Sequence, residues 1–424
     1  MHFRCIPIRT MAHLVETVLE HVAIPSWKTI SLVAGSLAAL QLLRWVVVAI
    51  YNLYWHPLRH FPCHVPWVVL PWGHSIARIQ GKIDFQMRDL HEKLGPVIRT
   101  GPDSLSFTAS AAWKDIYGGG HAELPKHLLS GSGLDELPDI IAANANDHRR
   151  YRRALAPAFT TEALMRQEPL INTYVDLLLQ KLSEIARSSE PSANMANWYS
   201  MVSFDIFGDL CYGENFGGLE MGHKSPWIQA ISDTKPVIAL SVIPYISKLL
   251  LHWYLTAEQR DSLRVSQQMT TDATLKRIQN EEFNARGDIM SFLLRSRNDA
   301  KGLNDYEMCC NVDTIMGAAV DTTVIGLAGV TYCLVRHPDA LERCTREVRE
   351  AFDKQDDICF KEINTKLPFL LACIDEGLRL YPPTPIGLWR RTLPGPPTTI
   401  SGYEVPENVR QGTYKYSPYS CRYY

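Results

Sequence analysis

The chain has 424 residues, 46% hydrophobic and 10% aromatic, enough apolar material for one large core or two ordinary ones. Lys and Arg number 43 against 45 Asp and Glu, a formal net charge of -2, so no global basic field exists to hold nucleic acid phosphates. Ten cysteines scatter from Cys5 to Cys421 without a C-x-x-C spacing, which removes a zinc framework. Cys333 and Cys373 fall inside apolar helical runs, as free thiols in a reducing, cytosol-facing compartment do.

Residues 30–51 read ISLVAGSLAALQLLRWVVVAIY, long enough to cross a bilayer as a helix. Arg44 lies near one end, where it snorkels to the interface, and Trp45, Tyr51, Tyr54 and Trp55 supply an aromatic belt. A buried amphipathic helix is the competing reading. A cleaved signal fits worse, because the run starts late, exceeds an h-region and lacks an A-x-A-like exit. Lys28 and Arg59 flank the run, so charge alone leaves its orientation open. The expected organisation is an N-terminal segment over 1–29, a transmembrane anchor over 30–51, a proline-rich spacer over 52–80 and a catalytic body over 81–424.

Within that body, strand patterns occur at 96–101, 105–109 and 398–405. Helical periodicity marks 161–185, 195–210, 258–282, 305–335, 339–352 and 367–380. The balance is mainly α with small β-sheets. No repeat of solenoid length and no low-complexity tract is present.

Four stretches bear on function. In NDHRRYRRALAPAFT, residues 146–160, His148 and Arg152 are four apart on one helix face and suit a carboxylate, arginine giving two-pronged bonding. Arg149, Arg150 and Arg153 read as a solvated basic face, with an acidic docking partner as the functional variant. The apolar run over 236–255 is either a lipophilic entrance or ordinary packing. The third stretch is the longest interior helix, with Asn304 and Glu307 spaced as a capping box and His337-Pro338 as its stop. Its middle is apolar on nearly every face, which predicts a helix running through a core. Asp321, Thr322 and Thr323 stand there, either put to use or forming a satisfied polar bend in which threonine bonds back one turn.

The fourth stretch, CIDEGLRLYPPTP, carries Glu376 and Arg379 on one helix face. E-x-x-R recurs at Glu184 to Arg187 and Glu407 to Arg410, but only Glu376 ends an apolar helix before a Tyr-Pro-Pro stop. A buried pair there would fix the fold.

These stretches, in this order behind an anchor, resemble the cytochrome P-450 superfamily of haem-thiolate monooxygenases. The resemblance covers nearly all of the chain after Tyr51 and implies a mainly α fold with small β-sheets, haem b, and electrons from an NADPH-dependent flavoprotein reductase. The family's A/G-G-x-D/E-T-T motif reads Ala318-Ala319-Val320-Asp321-Thr322-Thr323 here, Ala319 replacing the second glycine and narrowing the oxygen groove. The resemblance gives Thr322 a bond to dioxygen and Asp321 a proton relay for O–O cleavage. It makes Glu376 and Arg379 the core-locking pair, and gives His148, Arg152 and Arg390 the haem propionates.

LHEKLGPVIRTGPDSLSF, FDIFGDLCYGENFGGLE and ACIDEGLRLYPPTPIGLWRR look like fungal members that oxidise small lipophilic secondary metabolites, including mycotoxin intermediates. The implied location is the endoplasmic reticulum membrane, single-pass, with the body facing the cytosol. A membrane-anchored hydrolase finds no G-x-S-x-G turn.

The family's thiolate loop, F-x-x-G-x-R-x-C-x-G, has no match after Arg379. Cys421 lacks the Gly-rich turn before it and a helix after it. Phe204, Cys211 and Gly213 share part of the spacing but precede Glu376, so Cys211 reads as structural and no residue is assigned to a metal. The expectation is therefore a fold ending before its haem-ligand region, with a haemless, inactive non-enzyme as the rival reading.

Overall fold

A helix leaves its first amides without partners, and Thr160, Asn194, Thr256 and Asn304 each accept from such an amide at the start of a long helix. The computed structural model describes residues 27–70, 73–120, 122–127, 138–189, 191–224, 229, 256–280, 286–297, 299, 302–384 and 388–413. It divides into two units, Met1–Arg59 and His60–Tyr424.

The first unit is built on α1, Trp27–Tyr54, which contains the apolar run expected to span. It has no acidic residue in its first turn, and Leu32, Leu37, Leu40 and Leu43 are all exposed. Arg59 Nη1 donates to the Tyr54 carbonyl at 2.8 Å and so closes the helix end. Among the described residues two helices are long and apolar enough to cross a membrane, Ser31–Tyr54 and Asp305–Arg336.

The second unit begins with α2 (Val65–Val69), α3 (Gly73–Ile79) and α4 (Ile83–Leu94). Within the segment expected as a spacer, Pro66 therefore sits in the first turn of a helix, where its missing N–H costs nothing. Trp67 and Ala77 pack there with Ile83, Met87 and Ile98.

The hairpin β1 (Val97–Gly101) and β2 (Ser104–Phe107) follows, then α5 (Ser110–Tyr117), α6 (Ala145–Leu155), α7 (Thr161–Ala186), α8 (Met195–Tyr212) and the single turn α9 (Gly218–Met221). Beyond these lie α10 (Ala257–Gln279), α11 (Ile289–Ser296), α12 (Asp305–Arg336), α13 (Pro338–Ala351), α14 (Phe360–Lys366) and α15 (Pro368–Leu380).

Short strands close the described chain: β3 (Arg390–Arg391), β4 (Thr398–Ile400), β5 (Tyr403–Val405) and β6 (Arg410–Thr413). β2 pairs antiparallel with β1 and parallel with β6, and β6 pairs antiparallel with β3, giving the order β1-β2-β6-β3. The single strand pattern expected over 398–405 is instead a separate hairpin of β4 and β5, because Ser401 and Gly402 turn the chain at positive φ.

The main core gathers around α12. Met308, Val312, Met316 and Val320, at four-residue steps, bury one face with Phe204, Cys211 and Tyr212 of α8 and Met290 and Leu293 of α11. The expectation of burial on nearly every face does not hold: Gly317, Ala318, Leu327, Tyr332 and Val335 are exposed among the described residues.

Two glycines let α12 and α15 approach closely. A Cβ on Gly329 would fall 2.9 Å from Tyr381, and one on Gly377 would fall 2.6 Å from Val330. Both distances lie inside van der Waals contact.

The N-terminus of α12 is anchored by charge. The expected capping box forms, Glu307 N donating to Asn304 Oδ1 at 2.8 Å and Asn304 N to Glu307 Oε2 at 2.9 Å. Glu307 also receives both arms of Arg150 from α6, Nη1 to Oε2 at 2.9 Å, and the Tyr151 hydroxyl at 2.9 Å. Arg150 is thus not part of a solvated basic face. The pattern of α6 gave no sign of this partner, which lies 157 positions away in the chain.

Two measurements check this architecture. The hydrogen bond from Arg150 holds the Glu307 carboxyl at about 2, against an ordinary 4.5, although burial opposes it. A depressed folded value means stabilisation that is full above the ordinary carboxylate range and is lost as pH falls from about 4.5 toward 2. Glu307→Gln should cost about 1–2 kcal/mol at neutral pH in denaturant unfolding and flatten that acid limb. Gly377→Ala should cost about 1–3 kcal/mol with little change of helix content by circular dichroism, since it forces α12 and α15 apart.

Candidate functional site

Cationic side chains converge from three separate segments. α6 presents His148 and, one turn on, Arg152; its start is fixed by Asn144, whose side chain accepts from the Asn146 and Asp147 amides. Arg390 stands on β3 opposite Gln411 of β6. Lys126 pairs with Arg390 through an isolated antiparallel bridge.

The Lys126 ammonium donates to the Ile140 and Ile141 carbonyls at 2.7 and 3.1 Å. That turn is fastened to α12 by the buried Asn311, whose Oδ1 accepts from Ile140 N at 2.9 Å while Nδ2 donates to the Pro138 carbonyl.

These groups feel one another. Burial pushes the His148 imidazole below its ordinary pKa, and Lys126, Arg152 and Arg390 push it further while Glu123, 3.8 Å away, pulls back. Burial lowers the Lys126 ammonium as well, with Arg390 adding to the effect. Neither Arg152 nor Arg390 makes an ion pair among the described residues. Two guanidinium groups without an ion pair among the described residues, beside a lysine and an imidazole, suit anionic, carboxylate-like groups.

The structure therefore unites the three cationic residues chosen from the sequence and adds Lys126. Sequence reasoning missed Lys126 because only its bridge to Arg390 brings it there.

Midway along α12, Thr322 Oγ1 donates to the Ala318 carbonyl at 2.7 Å. This is the back-bond of a polar bend. It commits the hydroxyl proton to the helix and leaves the oxygen lone pairs as an acceptor for an incoming donor. Asp321 beside it is partly exposed, and Gly317 and Ala318 on the open face offer no side-chain bulk. Among the described residues Thr322 bonds only within α12, so it joins the cationic cluster through the helix, by way of Asn311 and Glu307.

Of the three E-x-x-R copies, only Glu376 and Arg379 pair with each other. Arg379 Nε donates to Oε2 at 2.5 Å and Nη2 to Oε1, which lowers the Glu376 pKa. Arg410 instead pairs with Asp103, and Glu407 accepts from the Gly395 amide. The expectation of burial fails: the Glu376 and Arg379 side chains are 52% and 37% exposed. They line a cavity of about 830 Å³ with Tyr332, His337, Phe369 and Cys373. Burial would need a covering layer on the outer side of α15, and the described residues place none there.

Cys211 is fully buried beside Tyr212 and Phe204, and burial pushes its thiol up to about 12, as befits a structural residue. Cys421 and the apolar run over 236–255 lie outside the described residues.

The family model described as Cytochrome P450 matches residues 62–417 of this chain. The cytochrome P450 monooxygenase dtxS2 of Metarhizium robertsii is 47% identical over 400 residues, covering 94% of this chain and 77% of its own length. The cytochrome P450 monooxygenase olcB of Penicillium canescens is 37% identical, over 88% and 76%. The trichothecene C-4 hydroxylase of Trichoderma arundinaceum is 36% identical, over 90% and 78%.

The cationic cluster predicts a pKa response. Lys126→Met removes a charge that penalises the imidazolium, so the His148 pKa should rise toward its ordinary value. The pH dependence of diethyl pyrocarbonate modification at His148, mapped by mass spectrometry, reads this directly; an unchanged or lower value would separate Lys126 from His148.

Proposed function

This chain belongs to the cytochrome P450 family, in its fungal secondary-metabolism group, and we propose that it hydroxylates or epoxidises a small lipophilic metabolite with O2. The observation that carries the reading is the convergence of Arg152, Arg390, Lys126 and His148, with both guanidinium groups unpaired among the described residues.

The family implies haem b. The fit to that group divides in two. The cationic cluster suits its two carboxylates. Cys211, the described cysteine that shares part of the thiolate-loop spacing, is sealed in the core and does not fit a ligand. Haem with a thiolate ligand supplies the activation of O2 when bound.

This chain's residues do the rest. Arg152 and Arg390 hold carboxylates. Ala318 and Gly317 leave room against the helix backbone, Thr322 accepts a hydrogen bond there, and Asp321 supplies protons to that side. Glu376 and Arg379 pair at the end of α15.

The finer reading follows the family. Electrons come from an NADPH-dependent flavoprotein reductase. The run over 30–51 anchors the chain in the endoplasmic reticulum membrane, the segment over 52–80 leads from it, and the body over 81–424 faces the cytosol. The exposed leucines of α1 support the anchor. A trichothecene-like or other mycotoxin-type substrate is the natural class, given the names of the similar proteins.

A second reading, a haemless and inactive chain, is favoured by the burial of Cys211, the described cysteine that shares part of the family's ligand spacing. A reduced carbon-monoxide difference spectrum on membranes bearing the full chain distinguishes them. A strongly red-shifted Soret band, lost or weakened in Arg152→Ala and Arg390→Ala as bound haem falls, supports the monooxygenase. Abundant protein without that band overturns it and leaves the second reading.

A further inference from the structure

Cys344 of α13 and Cys373 of α15 face each other with their sulfurs 3.6 Å apart, and both are free thiols. A disulfide bond is about 2.05 Å long, so roughly 1.5 Å of closure separates the pair from bonding. Rotations about the two Cα–Cβ bonds together with small helix shifts are of that scale.

The two helices are held in register around the sulfurs. The Phe369 and Leu370 amides, at the start of α15, both donate to the Glu347 carboxylate of α13 at 2.9 Å. Arg343, adjacent to Cys344, lies 3.8 Å above the Phe369 ring. The sulfurs therefore meet by construction of the frame rather than by chance approach of mobile segments.

Access to the two sulfurs is unequal. Cys344 is only 4% exposed, whereas Cys373 is half-buried and lines the 830 Å³ cavity. Burial and the neighbouring Cys373 push the Cys344 thiol up to about 11, which keeps it protonated at neutral pH. The open cysteine is the one a small oxidant reaches, and the buried one is placed to resolve it.

We propose that Cys344 and Cys373 form a peroxide-reactive dithiol, a modification site in which hydrogen peroxide converts the pair to a reversible disulfide linking α13 to α15. The Cys373 thiol gives up its proton as its sulfur attacks one peroxide oxygen, the O–O bond breaks, and the departing hydroxide takes that proton and leaves as water. Cys373 is then a sulfenic acid. The Cys344 sulfur attacks that sulfur, and the displaced hydroxyl leaves with the Cys344 proton as a second water. Two thiols lose two electrons in all and one peroxide becomes two waters.

A small thiol reductant reverses the bond by exchange, so in a reducing compartment the linkage is transient. Glu376 lies one turn beyond Cys373, so the bond tightens the frame that carries the Glu376–Arg379 pair. The site acts without haem and stands or falls apart from the monooxygenase reading.

The test uses the full chain in membranes, treated with hydrogen peroxide, quenched with iodoacetamide and peptide-mapped. The expected result is one linked peptide joining Cys344 to Cys373, abolished by dithiothreitol, with Cys359 still alkylated. Cys344→Ser should leave Cys373 as a sulfenic acid that dimedone traps, and Cys373→Ser should leave Cys344 reduced. Continued alkylation of both cysteines, oxidation of Cys373 to a sulfinic acid without linkage, or a bond from Cys373 to Cys333 instead would each overturn the proposal. The wild-type map decides alone, so a variant that fails to fold does not shelter the idea.

Discussion

The pairing of Arg150 with Glu307 is the constraint on which the site depends. It is a bidentate, charge-assisted contact, with the Glu307 side chain only 12% exposed. The same carboxylate closes the capping box of α12, so one side chain both starts the long helix and ties it to α6. α6 carries His148 and Arg152, and α12 carries Asp321 and Thr322. The register between the cationic cluster and the polar bend is therefore set at Arg150, between His148 and Arg152, and at the first turn of α12. A neutral amide in place of the carboxylate would keep some hydrogen bonds but lose the charge that makes this join stronger than an ordinary surface pair.

A second constraint fixes the other end of α12. Gly329 and Gly377 let α15 lie against its backbone, and the contact of α15 with α13 through Glu347 adds a third helix to the stack. Glu376 and Arg379 thus sit on a rigid element although the described structure leaves them half-exposed. Their bidentate geometry is preserved in the open, where solvent screens it and its contribution to stability is small. Such a pair is held by its helix more than it holds the helix, and its strength grows only where a neighbour excludes water.

How much of this the sequence disclosed follows from the range of each signal. The capping box at Asn304 and Glu307, the stop at His337-Pro338 and the helices over 161–185 and 367–380 rest on contacts a few residues long, and these agree with the structure to within a residue or two. The strands at 96–101 and 105–109 were legible for the same reason, whereas the turn that splits 398–405 into two strands was not. β3 and β6 were not, because RR and RQGT carry no apolar alternation and become strands only by pairing with each other and with β2. Lys126 and the partner of Arg150 were invisible for an allied reason. Each acquires its role across a long stretch of chain, and a basic residue in a polar run looks the same whether or not a carboxylate waits there.

The polar bend of α12 admits two accounts, and its surroundings favour one. A helix that needed only a satisfied threonine would carry bulkier residues there, as it does at the exposed Leu327 and Val335. At Gly317 and Ala318 it keeps the face bare for a turn just ahead of Asp321 and Thr322. Bare helix surface forgoes packing, which is tolerable where something else is meant to lie against it. The back-bond from Thr322 to Ala318 commits the hydroxyl proton to the helix and leaves its oxygen able to accept. The proposed function would use this place on the helix as the seat for a small reactant and the cationic cluster on α6 and β3 for the carboxylates of the cofactor.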